Sequence, residues 1–251
     1  MKNTKISWTD HTLNLWWGCS KVNEACKNCY AEGISKRFGN DLWGEDKDRK
    51  IVFSASDDLD KYQRKAKKEN KKVKVFVGSM MDIFEDSKNL IGFNLRLNTN
   101  CVRDLFFSSI NKNLYPNLIF LFLTKRPFNI SKYIPDEWKD NPPNNVWIGV
   151  TVYNEDNAWE MGKLLMDSKW NGKMFFSIEP QLEEIRHIDL TGIDWVIQGG
   201  ESGHNKRQFK LEWADTMRKI CKEQNVPYFF KQIDGKAPIP KEMNIKQYPK
   251  F

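Results

Sequence analysis

At 251 residues, 40% of them hydrophobic and 29% charged, the chain has the composition of a globular protein rather than a disordered or fibrous one, and it is long enough for one large core. No apolar run approaches the ~18–20 residues that a bilayer span needs. The polar start, MKNTKISWTD, has no apolar segment of signal-peptide type, so we expect a cytoplasmic protein with no membrane partner. The formal net charge of +7 suits an anionic partner, a nucleotide or nucleic acid, without saying where it would bind.

Eight short apolar runs follow one another along the chain. They are TLNLWWG (12–18), KIVFSAS (50–56), VKVFVGS (73–79), LIFLFLT (118–124), VWIGVTV (146–152), KMFFSIE (173–179), DWVIQGG (194–200) and PYFFKQ (227–232). Most are β-branched or aromatic and lack strict alternation, as strands buried on both faces of a parallel sheet do. Helical patterns lie between them, among them DDLDKYQRKAKKEN, NAWEMGKLLMDS and LEWADTMRKICKEQN, the last with Leu211, Met217, Ile220 and Cys221 toward one side. Eight strands alternating with helices predict an α/β fold, a TIM-like (β/α)8 barrel. The alternative is an open doubly wound parallel sheet. No linker or internal repeat divides the chain, so residues 1–251 read as a single domain with an irregular tail from about 234 to 251. Lysines crowd KYQRKAKKENKKVKV (61–75), which reads either as a solvated helix face with a turn or as a nucleic-acid stripe.

In such barrels the working residues collect at the C-terminal ends of the strands. Polar groups cap nearly every run on that side. The third run ends in Ser79, Met80 and Asp82, the fourth in Thr124, Lys125 and Arg126, the fifth near Thr151, and the sixth in Ser177 and Glu179. The seventh ends in GGESG, with Gly199, Gly200 and Glu201, and the eighth in Lys231 and Gln232. The glycine-rich QGGESGHNKR (198–207) is either an anion cradle or a tight turn that needs positive φ. Arg126 suits bidentate recognition of a carboxylate or phosphate. Glu179 needs a partner if buried, and Lys231 can supply it as a structural or a catalytic ion pair. Asp10 and Asn14 lie where they can hold the loop after the first strand.

That loop, GCSKVNEACKNCYAE, carries three of the five cysteines, Cys19, Cys26 and Cys29. An odd count in a cytosolic chain argues against a disulfide framework. Cys101 and Cys221 fall in helical patterns and read as buried small hydrophobes. Structural zinc wants four ligands. His11 is the one nearby histidine, eight residues before Cys19, while His187 and His204 belong to other strand ends. A [4Fe–4S] cluster held by three cysteines keeps one iron open, which is the basis of radical S-adenosylmethionine chemistry: the cofactor chelates that iron and is cleaved to a 5′-deoxyadenosyl radical.

The blocks ISWTDHTLNLWWGCSKVNEACKNCYAE, VFVGSMMDIFED, FLFLTKRP, NVWIGVTV, FFSIEP, DWVIQGGESG and VPYFFKQ, in that order, resemble a phage-associated family with a radical-SAM-like barrel. The resemblance covers nearly the whole chain. It implies a barrel with an iron–sulfur cluster at Cys19, Cys26 and Cys29. The sequence departs from the commonest radical-SAM pattern in two ways: six residues rather than three separate the first two cysteines, and its glycine–glycine–glutamate element follows the seventh strand rather than the second.

The expected function is therefore a radical-SAM enzyme acting on a small-molecule or nucleotide substrate, or on nucleic acid, with an external electron donor. S-adenosylmethionine is expected beside Tyr30, with Glu179 and Glu201 as acceptors and Lys125, Arg126, Gly199 and Gly200 as donors; Ser79, Thr124 and Lys231 complete the candidate cofactor site. Two other classes compete: a non-catalytic zinc or iron–sulfur module that binds nucleic acid, and an ordinary barrel enzyme with incidental cysteines.

Overall fold

The structure, a computed structural model, describes residues 4–92, 97–203, 205–234 and 237–250. The chain opens with β1 (His11–Leu13) and β2 (Trp16–Trp17), then the cysteine loop and α1 (Tyr30–Arg37). Next come β3 (Arg49–Ile51), α2 (Ala55–Lys68), β4 (Val73–Val77), β5 (Leu90–Ile91), α3 (Thr99–Asn111) and β6 (Leu118–Thr124). The short α4 (Ile130–Tyr133) and α5 (Asp136–Asp140) lead to β7 (Val146–Thr151), α6 (Glu155–Met166) and β8 (Lys173–Ile178). β9 (Trp195–Gly199), α7 (Leu211–Glu223) and β10 (Tyr228–Gln232) complete the fold.

Seven strands make one sheet in the order β1-β4-β6-β7-β8-β9-β10, and every neighbouring pair is parallel. The order follows the chain, so the sheet curls in one direction and ends at two edges, β1 and β10. It is a half-barrel. The expected closed eight-stranded barrel is thus corrected to an open parallel sheet, without the order reversal of a doubly wound one. The missing strand is the second apolar run. Only Arg49–Ile51 of that region is extended, and it pairs antiparallel with β2 and parallel with β5 in a separate three-stranded sheet. A strand of the main sheet must be apolar on both faces; here Lys50 and Phe53 are exposed, and α2 starts at Ala55.

Alternation along the strands sorts the core into two layers. Outward residues, such as Leu118, Phe120 and Phe122 of β6 and Val146, Ile148 and Val150 of β7, pack in the main core with residues of α2, α3, α6 and α7. Inward residues form a second cluster of Phe76, Ile119, Leu121, Trp147, Phe175, Trp195, Ile197 and Phe229, which Trp8 joins from the segment before β1. This is why the strand sequences read as continuous apolar runs.

The tail is not idle. The Phe230 amide donates to Ile245 O and the Gln247 amide to Tyr228 O, which covers the free edge of β10. Trp195 Nε1 donates to Gln247 O at 3.0 Å, and the Tyr248 ring packs on Trp195 and Phe229, closing the N-terminal end of the curled sheet. Cys221 is buried as expected, whereas Cys101 is exposed on α3. The lysine-rich segment is the solvated end of α2 and the turn into β4, at that same N-terminal end. Among the described residues no helix is long and apolar enough to cross a membrane.

At the other end, β9 meets β10 with no room for side chains. A Cβ on Gly200 would lie 1.7 Å from Ile233 O and 2.7 Å from Phe209 Cβ. Gly200→Ala therefore forces the two strand ends apart and should cost about 1–3 kcal/mol, measured as a lower urea midpoint; an unchanged midpoint would show that the contact is slack.

Candidate functional site

A cavity opens at the C-terminal ends of the sheet strands, and Cys19, Cys26 and Cys29 all line it. The loop that carries them is built by local rules. Gly18 takes φ +118° because a Cβ there would lie 2.6 Å from Arg49 Cδ and 2.7 Å from Leu42 O. A single helical turn, Glu24–Cys26, is capped by Asn23, whose side chain accepts from the Ala25 amide at 3.1 Å. Cys29 is the N-cap of α1, so its sulfur sits at the positive end of that helix.

Behind Cys19 lies a buried lattice of four charges. Arg126 donates from Nη1 to Asp82 Oδ2 at 3.0 Å and to Cys19 Sγ at 3.6 Å, and from Nη2 to Ser20 O and Oγ, both at 2.9 Å. Glu85 accepts from the Ser20 amide at 2.9 Å and from the Ser20 hydroxyl at 2.8 Å. Arg49 grips the same carboxylate with Nε at 2.9 Å and Nη2 at 2.7 Å. Asp82 also accepts from Thr124 Oγ1 at 2.8 Å and from the Lys125 amide at 3.1 Å. All four ions are buried. Burial pushes the Cys19 thiol up to about 12, against the pull of the Arg126 guanidinium, with Glu85 and Asp82 adding to the rise. Its proton stays on unless a metal replaces it.

Arg49 and Ser20 were not legible as site residues. Asp82 and Glu85 carried a signal, two carboxylates set among Met80, Met81, Ile83 and Phe84, but their partners lie far away in sequence.

The other expected site residues divide into two groups. Tyr30, Ser79, Lys125, Glu179 and Lys231 line the cavity, as do Arg126 and Glu201. Tyr30 donates its hydroxyl to Ser79 O at 3.0 Å. Burial, then the neighbouring Glu179 and Cys29, push its phenol above the ordinary value, which keeps it a donor. Glu179 and Lys231 form a direct ion pair across the mouth. The Lys125 ammonium has no partner among the described residues.

Three expectations are corrected. Arg126 faces Asp82, Ser20 and Cys19 rather than an incoming anion. Glu201 is engaged within the protein, by Arg207 Nη2 at 2.7 Å, the Arg207 amide at 2.8 Å and Asn28 Nδ2 at 3.0 Å. Burial alone would raise its carboxyl, but these donors hold it below the usual value. Since Asn28 sits between Cys26 and Cys29, Glu201 anchors the cysteine loop. Gly199 and Gly200 allow close packing on Gln232 and Ile233, and the Gly200 amide donates to Gln232 O at 3.1 Å rather than to an anion, while the positive φ expected of this loop falls at Gly203, φ +123°. Thr124 stands behind the wall as the hydroxyl that orients Asp82. His204 lies outside the described residues.

Among the described residues, no three His, Cys, Asp or Glu side chains converge on a point where one metal ion could sit. The charge lattice predicts the cost of dismantling it. Glu85→Ala leaves two buried guanidiniums short of a carboxylate and should cost roughly 3–5 kcal/mol. Glu32→Ala, which removes the partly exposed pairs to Lys21 and Lys36, should cost under about 1 kcal/mol. Urea denaturation checks both, and equal costs would remove the lattice from its central place.

No curated protein and no solved structure matches the chain. A family model does, over residues 3–247, which takes in the half-barrel, the cysteine loop and most of the tail. The chain belongs to the family described as Protein of unknown function (DUF5131).

Proposed function

We propose that the protein is a radical S-adenosylmethionine enzyme whose [4Fe–4S] cluster is held by Cys19, Cys26 and Cys29. The observation that carries this reading is that one loop delivers three thiols, with Tyr30 beside them, into the same cavity as Lys125, Glu179 and Lys231. The donor set fits the group. Each cysteine of a cluster binds its own iron, so three sulfurs around a cavity need not converge on one point. Three thiols also leave one iron without a protein ligand. The radical-SAM-like family that the sequence resembles points the same way.

When bound, the cluster and S-adenosylmethionine supply a 5′-deoxyadenosyl radical. The chain positions and excludes. Tyr30, fixed by its bond to Ser79 O, offers a ring edge beside Cys29 for the adenosine. Glu179 is the acceptor in reach for the cofactor's ammonium, and the unpartnered Lys125 ammonium is the donor for its carboxylate. Lys231 balances the charge of Glu179 at the mouth. Arg126, with its charge matched by Asp82 and Glu85, directs one N–H at Cys19 Sγ. Electrons come from an external donor that approaches the cysteine loop, where Val22 and Lys27 are exposed. The lysine-rich end of α2 lies at the opposite end of the sheet, which favours a small-molecule or nucleotide substrate over a long nucleic acid guided by that stripe.

Anaerobic reconstitution should load iron and sulfide, about four of each per chain, with absorbance near 400 nm, and any one of Cys19→Ala, Cys26→Ala or Cys29→Ala should abolish it. Reduced protein should convert S-adenosylmethionine to 5′-deoxyadenosine. Stoichiometric zinc with no iron would instead give the non-catalytic module.

The Arg126 contact generates its own prediction. Arg126→Lys keeps the charge but loses the fork that reaches Asp82, Ser20 and Cys19 together. Removing an N–H from a cluster sulfur should lower the reduction potential by an amount on the order of tens of millivolts. Redox titration followed by electron paramagnetic resonance reads this shift, and an unchanged potential would leave Arg126 a purely structural ion.

A further inference from the structure

We propose that the inner mouth of the half-barrel, on the sheet side of the cysteine loop, binds an uncharged planar ring carrying two hydrogen-bond acceptors, a cyclic amide of the nucleobase kind. The proposal rests on the reading above only in calling this ligand the substrate; the binding itself needs no cluster.

Three buried polar atoms carry the inference. Among the described residues, Trp8 Nε1, Ser177 Oγ and Thr151 Oγ1 have no hydrogen-bond partner, and their residues are 1%, 0% and 0% exposed. Native interiors rarely leave such groups unpaired, so each one asks what completes it. Trp8 and Ser177 are on the wall of the cavity that the cysteines line. Thr151 is the register partner of Ser177 on the adjacent strand. It shares the inward face of β7 with Trp147, two pleats on. The two hydroxyls therefore stand side by side at the top of the inner layer, above the aromatic floor that Trp8 helps to build.

The chemistry of the donors selects the ligand. An indole N–H only donates, so its partner is an acceptor, and a serine or threonine hydroxyl can donate a second bond beside it. The charge balance decides which acceptor. Glu179, just beyond the end of β8, is paired with Lys231, so that pair contributes no net charge beside these donors. A carboxylate or phosphate pushed this deep would lose its hydration and leave the nearest unpaired cation behind it, since Lys125 stands one pleat further out than the inward Leu123. A neutral carbonyl or ring nitrogen loses far less. Shape adds the last constraint: the walls here are Trp8, Phe76 and Leu123, the Trp8 and Phe76 rings touch each other with centroids 4.7 Å apart, and a flat ring packs well against the continuous apolar surface they make.

The test uses the full-length protein, with uracil and uridine as neutral probes and benzoate as a charged ring of similar size. Titrations are followed by calorimetry and by the indole 15N–1H resonance of Trp8, identified from its loss in Trp8→Phe. Uracil and uridine should bind and shift that resonance, with benzoate at least about ten-fold weaker. Ser177→Ala, which deletes one hydroxyl from the cavity wall, and Thr151→Val, which deletes the hydroxyl beside it on β7, should each weaken uracil about ten-fold while leaving the melting temperature near that of the parent, a factor expected for losing one directed hydrogen bond. Benzoate binding as tightly as uracil would overturn the proposal. So would an indole resonance that no neutral ring moves, which would mean that trapped water alone completes these groups. Neutral-ring binding by a protein that takes up zinc and no iron would sustain this inference while ending the radical reading; a cluster-bearing protein blind to every ring would do the reverse.

Discussion

The position of the cysteine loop depends on a charge lattice rather than on apolar packing. Ser20 is the hub: its amide, hydroxyl and carbonyl are all taken by Glu85 and Arg126, and those two ions are in turn held by Arg49 and Asp82. Two cations and two anions sum to zero, the condition under which buried ions are tolerated at all. The members come from four separate stretches of chain, so the lattice forms only when the segments of the first four apolar runs have found their places. A hydrophobic replacement of similar volume would keep those segments together more cheaply, but it would not direct an N–H at Cys19 Sγ. The lattice fixes an atom, not merely a loop.

The cavity itself follows from a gradient of side-chain size along the strands. On the inward face β7 runs Trp147, Gly149, Thr151; β8 runs Phe175, Ser177, with Glu179 just past its end; β9 runs Trp195, Ile197, Gly199. Large rings fill the N-terminal end, where Trp8 and the tail seal it. The Phe175 ring lies over Gly149 so closely that a Cβ there would be 2.5 Å from it. One pleat further on, the residues become small or polar and the space opens. A half-barrel with the same residues in reverse order would have its hollow at the end where no functional side chains gather.

This gradient explains what could be read from the sequence and what could not. The runs LIFLFLT and VWIGVTV announce strands buried on both faces, because nothing else requires apolar residues at every position, and their polar ends do gather where Lys125, Ser177 and Glu179 line one cavity. The KIVFSAS run looked the same over seven residues. Whether a short apolar run joins the main sheet depends on a surface being free on each side of it, and Lys50 and Phe53 reach solvent instead. Engagement was the other hidden quantity. Arg126, Glu201 and Gly200 occupy the expected strand ends, but Asp82, Asn28 and Ile233 had claimed them, and long-range partners of this kind leave no local mark. The glycines of GGES are a case in point: their spacing suggests an anion cradle, whereas close packing of β9 on β10 demands the same residues.

Separating engaged from unengaged groups sharpens the chemical reading of the site. Of the polar side chains around the cavity, Asp82, Arg126, Glu201 and Thr124 are saturated by protein partners and serve as framework. Those with capacity left are Lys125, the Glu179–Lys231 pair, Ser177 and the indole of Trp8, together with the three thiols. They are not scattered: the thiols and Tyr30 stand on the outer side, the ions in the middle, and the neutral donors innermost against the aromatic floor. A zwitterionic group is best matched by the middle layer, and an uncharged ring by the inner one. A ligand held innermost would face the thiols across the ion layer and be shielded from solvent behind, because the tail and Trp8 close the sheet there. The order of these layers, set by alternation and residue size along three adjacent strands, is what makes the cavity directional.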